Sequence, residues 1–304
     1  MTAPAFVPEV LERMLYWIRE RESIRRRKEA GEPWPWTSDR LLQEWRWCNV
    51  RRMDDKVSRE LMASWYRADA DVSTQMTAAV LARTVNWTAA LLDASSGLPF
   101  SLDLLPQIRA RLHDRAERGE KVFTGAYIVP GQPGRSKVDT ICDLTEKVAA
   151  RADSLCAPTI RDTWANLLEL EGLGSFLAGQ VVADLAHLSL GKAWPDRFTW
   201  APVGPGSARG LNRLLGRPLK RAVSQAEFDQ LLPHVMEAFA SDAPEIWIAR
   251  GLSFQDAQNC LCEGDKHERL LAKEGTVRAR YAPPRAQQGL LLEDNRAGST
   301  PNLW

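Results

Sequence analysis

The chain has 304 residues, 44% of them apolar and 26% charged, which suits one large or two small domains with a sizeable core. A net charge of +1 excludes a global field that would draw the whole protein to nucleic acid or membrane, so any such contact rests on a local patch. No apolar run approaches the roughly 20 residues of a bilayer span. The five cysteines, at 48, 142, 156, 260 and 262, form no CxxC pair and follow no secretory apolar region, which points to reduced thiols and a cytoplasmic location.

In chain order, residues 8–29 place Leu11, Met14, Leu15 and Ile18 on one helical stripe that Gly31 and Pro33 end. Ser73, Ser101 and Ser224 stand as N-caps before "TQMTAAVLARTVNWTAALLDA", "LDLLPQIRARLHDRAE" and "QAEFDQLLPHVMEAFA". "KVFTGAYIV", residues 121–129, reads as a strand, and the turn-rich "PGQPGRSK" follows it. A last helix starts near Ser253. The fold class is therefore mainly α with one short β element. Residues 1–275 read as a single helical domain, with or without two lobes, and 276–304 as a loosely ordered tail.

Within "TWANLLELEGLGSFLAGQVVADL" two apolar helical runs flank Gly172-Leu173-Gly174. The glycines let two helices reverse within a few residues. The result is either a plain helical hairpin or a helix-hairpin-helix, whose free amides at the second helix's start suit a DNA phosphate. The run resembles the hairpin of helix-hairpin-helix DNA glycosylases. Asp196 follows at nearly the distance of their catalytic aspartate, and Phe176 stands where the lyase-type enzymes carry lysine. Downstream, Gly204-Pro205-Gly206-Ser207 opens a helix with Arg209, Arg213 and Arg217 on one face, which is either a solvated row or a phosphate contact.

Four motifs resemble the alpha-glutamyl/putrescinyl-thymine pyrophosphorylases, whose domain also accompanies 5-hydroxymethyl-deoxyuridine DNA kinases. They are "PWPWTSDRLLQEWRWCNVRRMDD" with Trp36, Thr37, Asp39, Gln43, Asn49, Arg52 and Asp55; "FTGAY" at 123–127; "GLGSFLAGQVVADL" with "VGPGSARGLNRL"; and "NCLCEGDKHER" at 259–269. His267 stands where an aromatic residue is expected. The resemblance implies a glycosylase-like helical fold that decorates a base instead of excising it. Its substrate would be thymine-derived bases in phage DNA whose 5-hydroxymethyl group is already phosphorylated or pyrophosphorylated. An amine, such as an amino acid, replaces that group, downstream of a separate kinase.

Such chemistry calls for extrusion of the nucleotide from double-stranded DNA and an aromatic platform, for which Trp36 is the candidate among twelve tryptophans. Arg51, Arg52, Arg209 and Lys266 can meet the departing phosphates. Asp39, Asp55, Asp184, Asp196 and Glu263 can take a proton from the incoming amine. Asp39 also reads as a helix cap and Asp55 as a helix salt bridge, whereas Asp184 on an apolar helix needs a partner or a purpose. Asn49 and Gln180 can read the uracil edge or tie helices together. The four histidines share no metal spacing, so no structural metal and no cofactor is expected, with a magnesium ion on the pyrophosphate left open. A DNA glycosylase and a non-enzymatic DNA-binding module are the rival readings. A kinase is disfavoured because no GxxxxGK[ST] occurs in the chain.

Overall fold

Apolar residues recur three and four apart between capping side chains, and almost all regular structure is helical in consequence. The computed structural model describes residues 4–124, 134–275, 277 and 280–282. Its helices are α1 (Pro8–Glu29), α2 (Arg40–Glu44), α3 (Lys56–Ser64), α4 (Val72–Val85), α5 (Thr88–Ala94), α6 (Leu105–Glu117) and α7 (Lys137–Leu155). They continue with α8 (Ile160–Leu167), α9 (Ser175–Leu185), α10 (Ser189–Lys192), α11 (Pro205–Leu214), α12 (Gln225–Asp242), α13 (Pro244–Trp247) and α14 (Phe254–Leu271).

Two hydrophobic cores divide these helices. Residues from Leu61 to Trp200 build one, in a middle lobe of α3 to α10. Residues from Met14 to Val50 and from Ala201 to Leu261 build the other, in a terminal lobe of α1, α2 and α11 to α14. The chain therefore crosses between lobes twice, once between Val50 and Leu61 and once at Trp200–Ala201. Both crossovers fall inside or beside the sequence motifs.

The middle lobe is organised around α4, which packs on α7 and α9 and buries nearly its whole length, Arg83 included. Its cap is Asp71, which accepts from Thr74 N at 2.7 Å, and not Ser73, whose hydroxyl instead donates to the Ala149 carbonyl. Ser101 precedes a short 3-10 turn, and α6 begins only at Leu105. Ser224 caps α12 as expected, and Ser253 caps α14 in a reciprocal box with Asp256. Residues 121–124 form no strand. The rest of the expected strand at 121–129, with most of "FTGAY", lies outside the described residues.

The expected hairpin is present as α8, a turn and α9. Gly172 sits at φ +100°, where a side chain would be strained, and Gly174 is the N-cap of α9. In the terminal lobe α11 lies unusually close on α14. A Cβ at Gly206 would stand 2.2 Å from Cys262 Sγ, and one at Gly210 would stand 2.1 Å from the Leu261 carbonyl oxygen. Past α14, Arg280 forms an antiparallel bridge with Trp45, and Tyr281 N donates to Glu44 O at 2.8 Å.

Candidate functional site

The first crossover is knotted by a buried charge network. Asp184 on α9 has no exposed surface, and its carboxylate accepts both Nε and Nη2 of Arg83 at 2.6 Å and the Tyr66 hydroxyl at 2.6 Å. Arg52 reaches it from the crossover at 3.3 Å while donating to Gln180 Oε1 at 2.5 Å. Burial pushes the Asp184 carboxyl up, but the two guanidinium groups and the hydrogen bonds outweigh it and hold the group below its ordinary range. An ionised carboxylate so fully committed is a holder of cations and a poor proton acceptor. Arg52 Nε remains buried with no partner among the described residues, and Arg51 beside it is half-buried.

A polar face of α14 then laces the crossover in place. Asp256, Asn259, Glu263 and Lys266 recur at spacings of three, four and three, so they lie on one side of the helix. Each bonds the backbone of the first motif. Asp256 accepts from Arg52 N at 2.8 Å, Asn259 donates to Asn49 O at 3.2 Å, and Glu263 accepts from Cys48 N at 3.2 Å. Lys266 donates to the Arg46 carbonyl, pairs with Glu263 at 3.3 Å and sits 4.3 Å over the Trp47 ring. Backbone groups of an irregular segment thereby obtain hydrogen bonds from helix side chains. The first and fourth motifs are one structural unit.

Asp55, at the end of this segment, is half-buried and accepts from Asn49 N at 2.7 Å. Burial is the main cause that pushes its carboxyl up to about 6, with the Glu263 charge acting in the same direction. Arg52 and Arg21 oppose the rise. A carboxyl so raised is poised to exchange a proton near neutral pH.

The remaining expected residues are dispersed. Trp36 is buried in the terminal core with its indole N–H on Glu32 O. Asp39 caps α2 and accepts the Tyr16 hydroxyl. Both ends of the Asn49 amide are used internally, by Arg21 and by Asp54 O. Asp196 lies apart from the crossover network and accepts the Ile160 and Arg161 amides at the start of α8. Ser207 closes the turn opened by Gly204 through the Gly204 amide and also accepts from Gln258 on α14. The basic row does not lie bare. Arg209 and Arg213 converge on buried Asp265 at 3.1 and 2.7 Å, and Arg217 pairs with Glu227 at 2.7 Å. His267 packs between the Tyr16 and Trp47 rings, and burial keeps it neutral, so it fills the place of an aromatic ring.

Sequence reasoning missed Arg83, Tyr66 and Arg21. The signal for Arg83 was available, since an arginine in the run "TAAVLARTV" needs a buried partner as much as Asp184 does. Burial raises the thiols of Cys48 and Cys260 well above their ordinary range and Cys262 to about 12, which leaves them protonated and poor nucleophiles. Among the described residues no cluster of His, Cys, Asp or Glu is arranged to hold a metal ion, and no helix is long and apolar enough to cross a membrane.

No curated protein matches the chain, and no solved structure does. A family described as "5-hmdU DNA kinase, helical domain" matches residues 8–276, a span that contains both crossovers, the hairpin and the α14 ladder. With that match over most of its length, the chain belongs to the family of the 5-hmdU DNA kinase helical domain.

Proposed function

We propose that this protein is a transferase of DNA thymine hypermodification, with a fold akin to helix-hairpin-helix DNA glycosylases. Its substrate is 5-hydroxymethyluracil in double-stranded DNA whose hydroxyl already carries phosphate or pyrophosphate. The observation that carries this reading is the family match over residues 8–276, in a chain whose sequence has no GxxxxGK[ST] for making that phosphate ester itself. A separate kinase acting upstream is part of the proposal.

In the proposed reaction the nucleotide swings out of the stack towards the first crossover between the lobes. An amine, with an amino acid as the first candidate, attacks the methylene carbon. The new C–N bond forms as the C–O bond breaks, and the electron pair leaves with the phosphate. The ammonium proton passes to Asp55, whose raised pKa suits that task. Arg51 and Arg52 meet the charge on the departing oxygens, and Asp184, Arg83 and Gln180 are positioning residues that aim Arg52. Magnesium accompanying the pyrophosphate is compatible with this chemistry, which requires no other cofactor.

The hairpin favours one alternative, a glycosylase acting on the modified base. Phosphate or pyrophosphate release from kinase-treated 5-hydroxymethyluracil DNA separates the two. Release that requires both this protein and an added amine is expected, whereas free base in the supernatant with the phosphate still attached would overturn the transferase.

A further inference from the structure

Resting on that reading, we infer that His187 is a further catalytic residue, a hydrogen-bond donor to the departing phosphate beside Arg51 and Arg52 at the first crossover. His187 follows α9 and stands where that helix, both crossovers and the start of α14 come together. Its ring lies 6.3 Å from that of Phe198, just before the second crossover, and the Phe198 carbonyl accepts the Phe254 amide of α14. The charges of Asp256 on α14, of Asp184 on α9, and of Arg52 and Arg51 on the first crossover all act on it. Arg197 adds a cation 4.4 Å over the Phe198 ring.

These neighbours differ in what they have left to offer. Asp184 is saturated by Arg83, Arg52 and Tyr66, and Asp256 by the Arg52 amide and by the amide and hydroxyl of Ser253. Neither carboxylate bonds the imidazole. Arg83 and Arg52 balance these two acids, which leaves Arg51 in excess, and its guanidinium makes no hydrogen bond or ion pair among the described residues. The other histidines are already paired or enclosed: His113 lies 2.9 Å from Asp139, His234 4.0 Å from Glu237, and His267 between two rings. His187 is half-buried, and its ring nitrogens make no hydrogen bond among the described residues.

An uncommitted imidazole near an uncommitted guanidinium supplies donors for an oxyanion. Burial above all, helped by the two arginines, holds His187 below its ordinary range against the pull of Asp256 and Asp184. At neutral pH it is therefore uncharged and adds no positive charge beside Arg51 and Arg52. A phosphate dianion reverses that balance. It favours the imidazolium, so a proton taken from solvent accompanies the phosphate and both ring nitrogens become donors. Negative charge grows on the phosphate as the C–O bond breaks, which is when the added donor counts most.

The test follows His187 by NMR in the full chain with isotope-labelled histidine, its signal assigned through His187→Phe. Inorganic phosphate is expected to raise the His187 titration midpoint and to bind about tenfold more weakly to His187→Phe. Duplex 5-hydroxymethyluracil DNA should raise the midpoint further after kinase treatment than before it, which separates phosphate on the base from phosphate in the backbone. His187→Phe keeps a ring against Phe198, so its unfolding midpoint should stay within the wild-type range while single-turnover transfer slows about a hundredfold. A midpoint indifferent to phosphate, an equal rise with both DNAs, or a wild-type rate in His187→Phe would overturn the assignment. Amine-dependent phosphate release with the His187 midpoint unmoved would refute the donor alone. A rise specific to kinase-treated DNA, with no release under any amine, would instead refute the transferase.

Discussion

At the scale of single residues, the acids of the site divide by what surrounds them. Asp184 was legible in the sequence as a lone acid on an apolar helix, but its task was not, because Arg83, Arg52 and Tyr66 come from other helices. Removing one member of a buried pair leaves the other charged and unsolvated, so Arg83→Met is expected to cost about 3–5 kcal/mol in chemical denaturation. Because Asp184 is held below its ordinary range, its stabilising contribution is present above the unfolded pKa near 3.9 and is lost as pH falls through the lower folded value. Asp55 behaves in the opposite way. Its carboxyl, pushed up to about 6, binds protons more tightly in the folded chain, so its contribution to stability falls as pH rises through that window. In the proposed reaction it accepts a proton only when ionised. Single-turnover rates should therefore drop as pH falls through about 6, and Asp55→Asn should be slow at every pH. A wild-type rate in that variant would return the proton to another acceptor.

At the scale of elements, most helices and the hairpin turn could be read from periodicity and glycine placement, and Ser224 and Ser253 from capping chemistry. Ser73 misled because a better cap, Asp71, stands two residues earlier. Spacing also showed the row Arg209, Arg213 and Arg217, but it could not show which acids turn to meet it. Asp265 lies 52 residues from Arg213 in sequence and Glu227 lies 10 from Arg217. The α14 ladder escaped notice for the same reason, since its partners are backbone atoms of an irregular segment some 200 residues away, as in the Arg52–Asp256 bond at a separation of 204. The close seating of α11 on α14 gives a direct check. Gly210→Ala would place a methyl group against the Leu261 carbonyl and is expected to cost about 1–3 kcal/mol by thermal or chemical unfolding. A neutral effect would mean that the two helices separate freely.

At the scale of the whole molecule, a chain with net charge +1 can hold DNA only through a local patch, and the proposed function puts that patch at Arg51 and Arg52 on the first crossover between the lobes. Affinity for duplex DNA should fall steeply with salt. Arg51→Ala should weaken binding and reduce the slope of log affinity against log salt by about 0.9, the value of one phosphate contact, with an unchanged unfolding midpoint. An unchanged slope would place the DNA elsewhere on the protein. The central claim, that a nitrogen replaces an oxygen on the methylene carbon of the base, is tested most directly by nucleoside mass spectrometry. The sample is 5-hydroxymethyluracil DNA treated with a DNA-base kinase, this protein and a pool of ¹⁵N-labelled amino acids. The expected result is a deoxyuridine nucleoside whose mass includes one amino acid with its label retained. Recovery of only the phosphorylated nucleoside, or of abasic sites with free base, would contradict it.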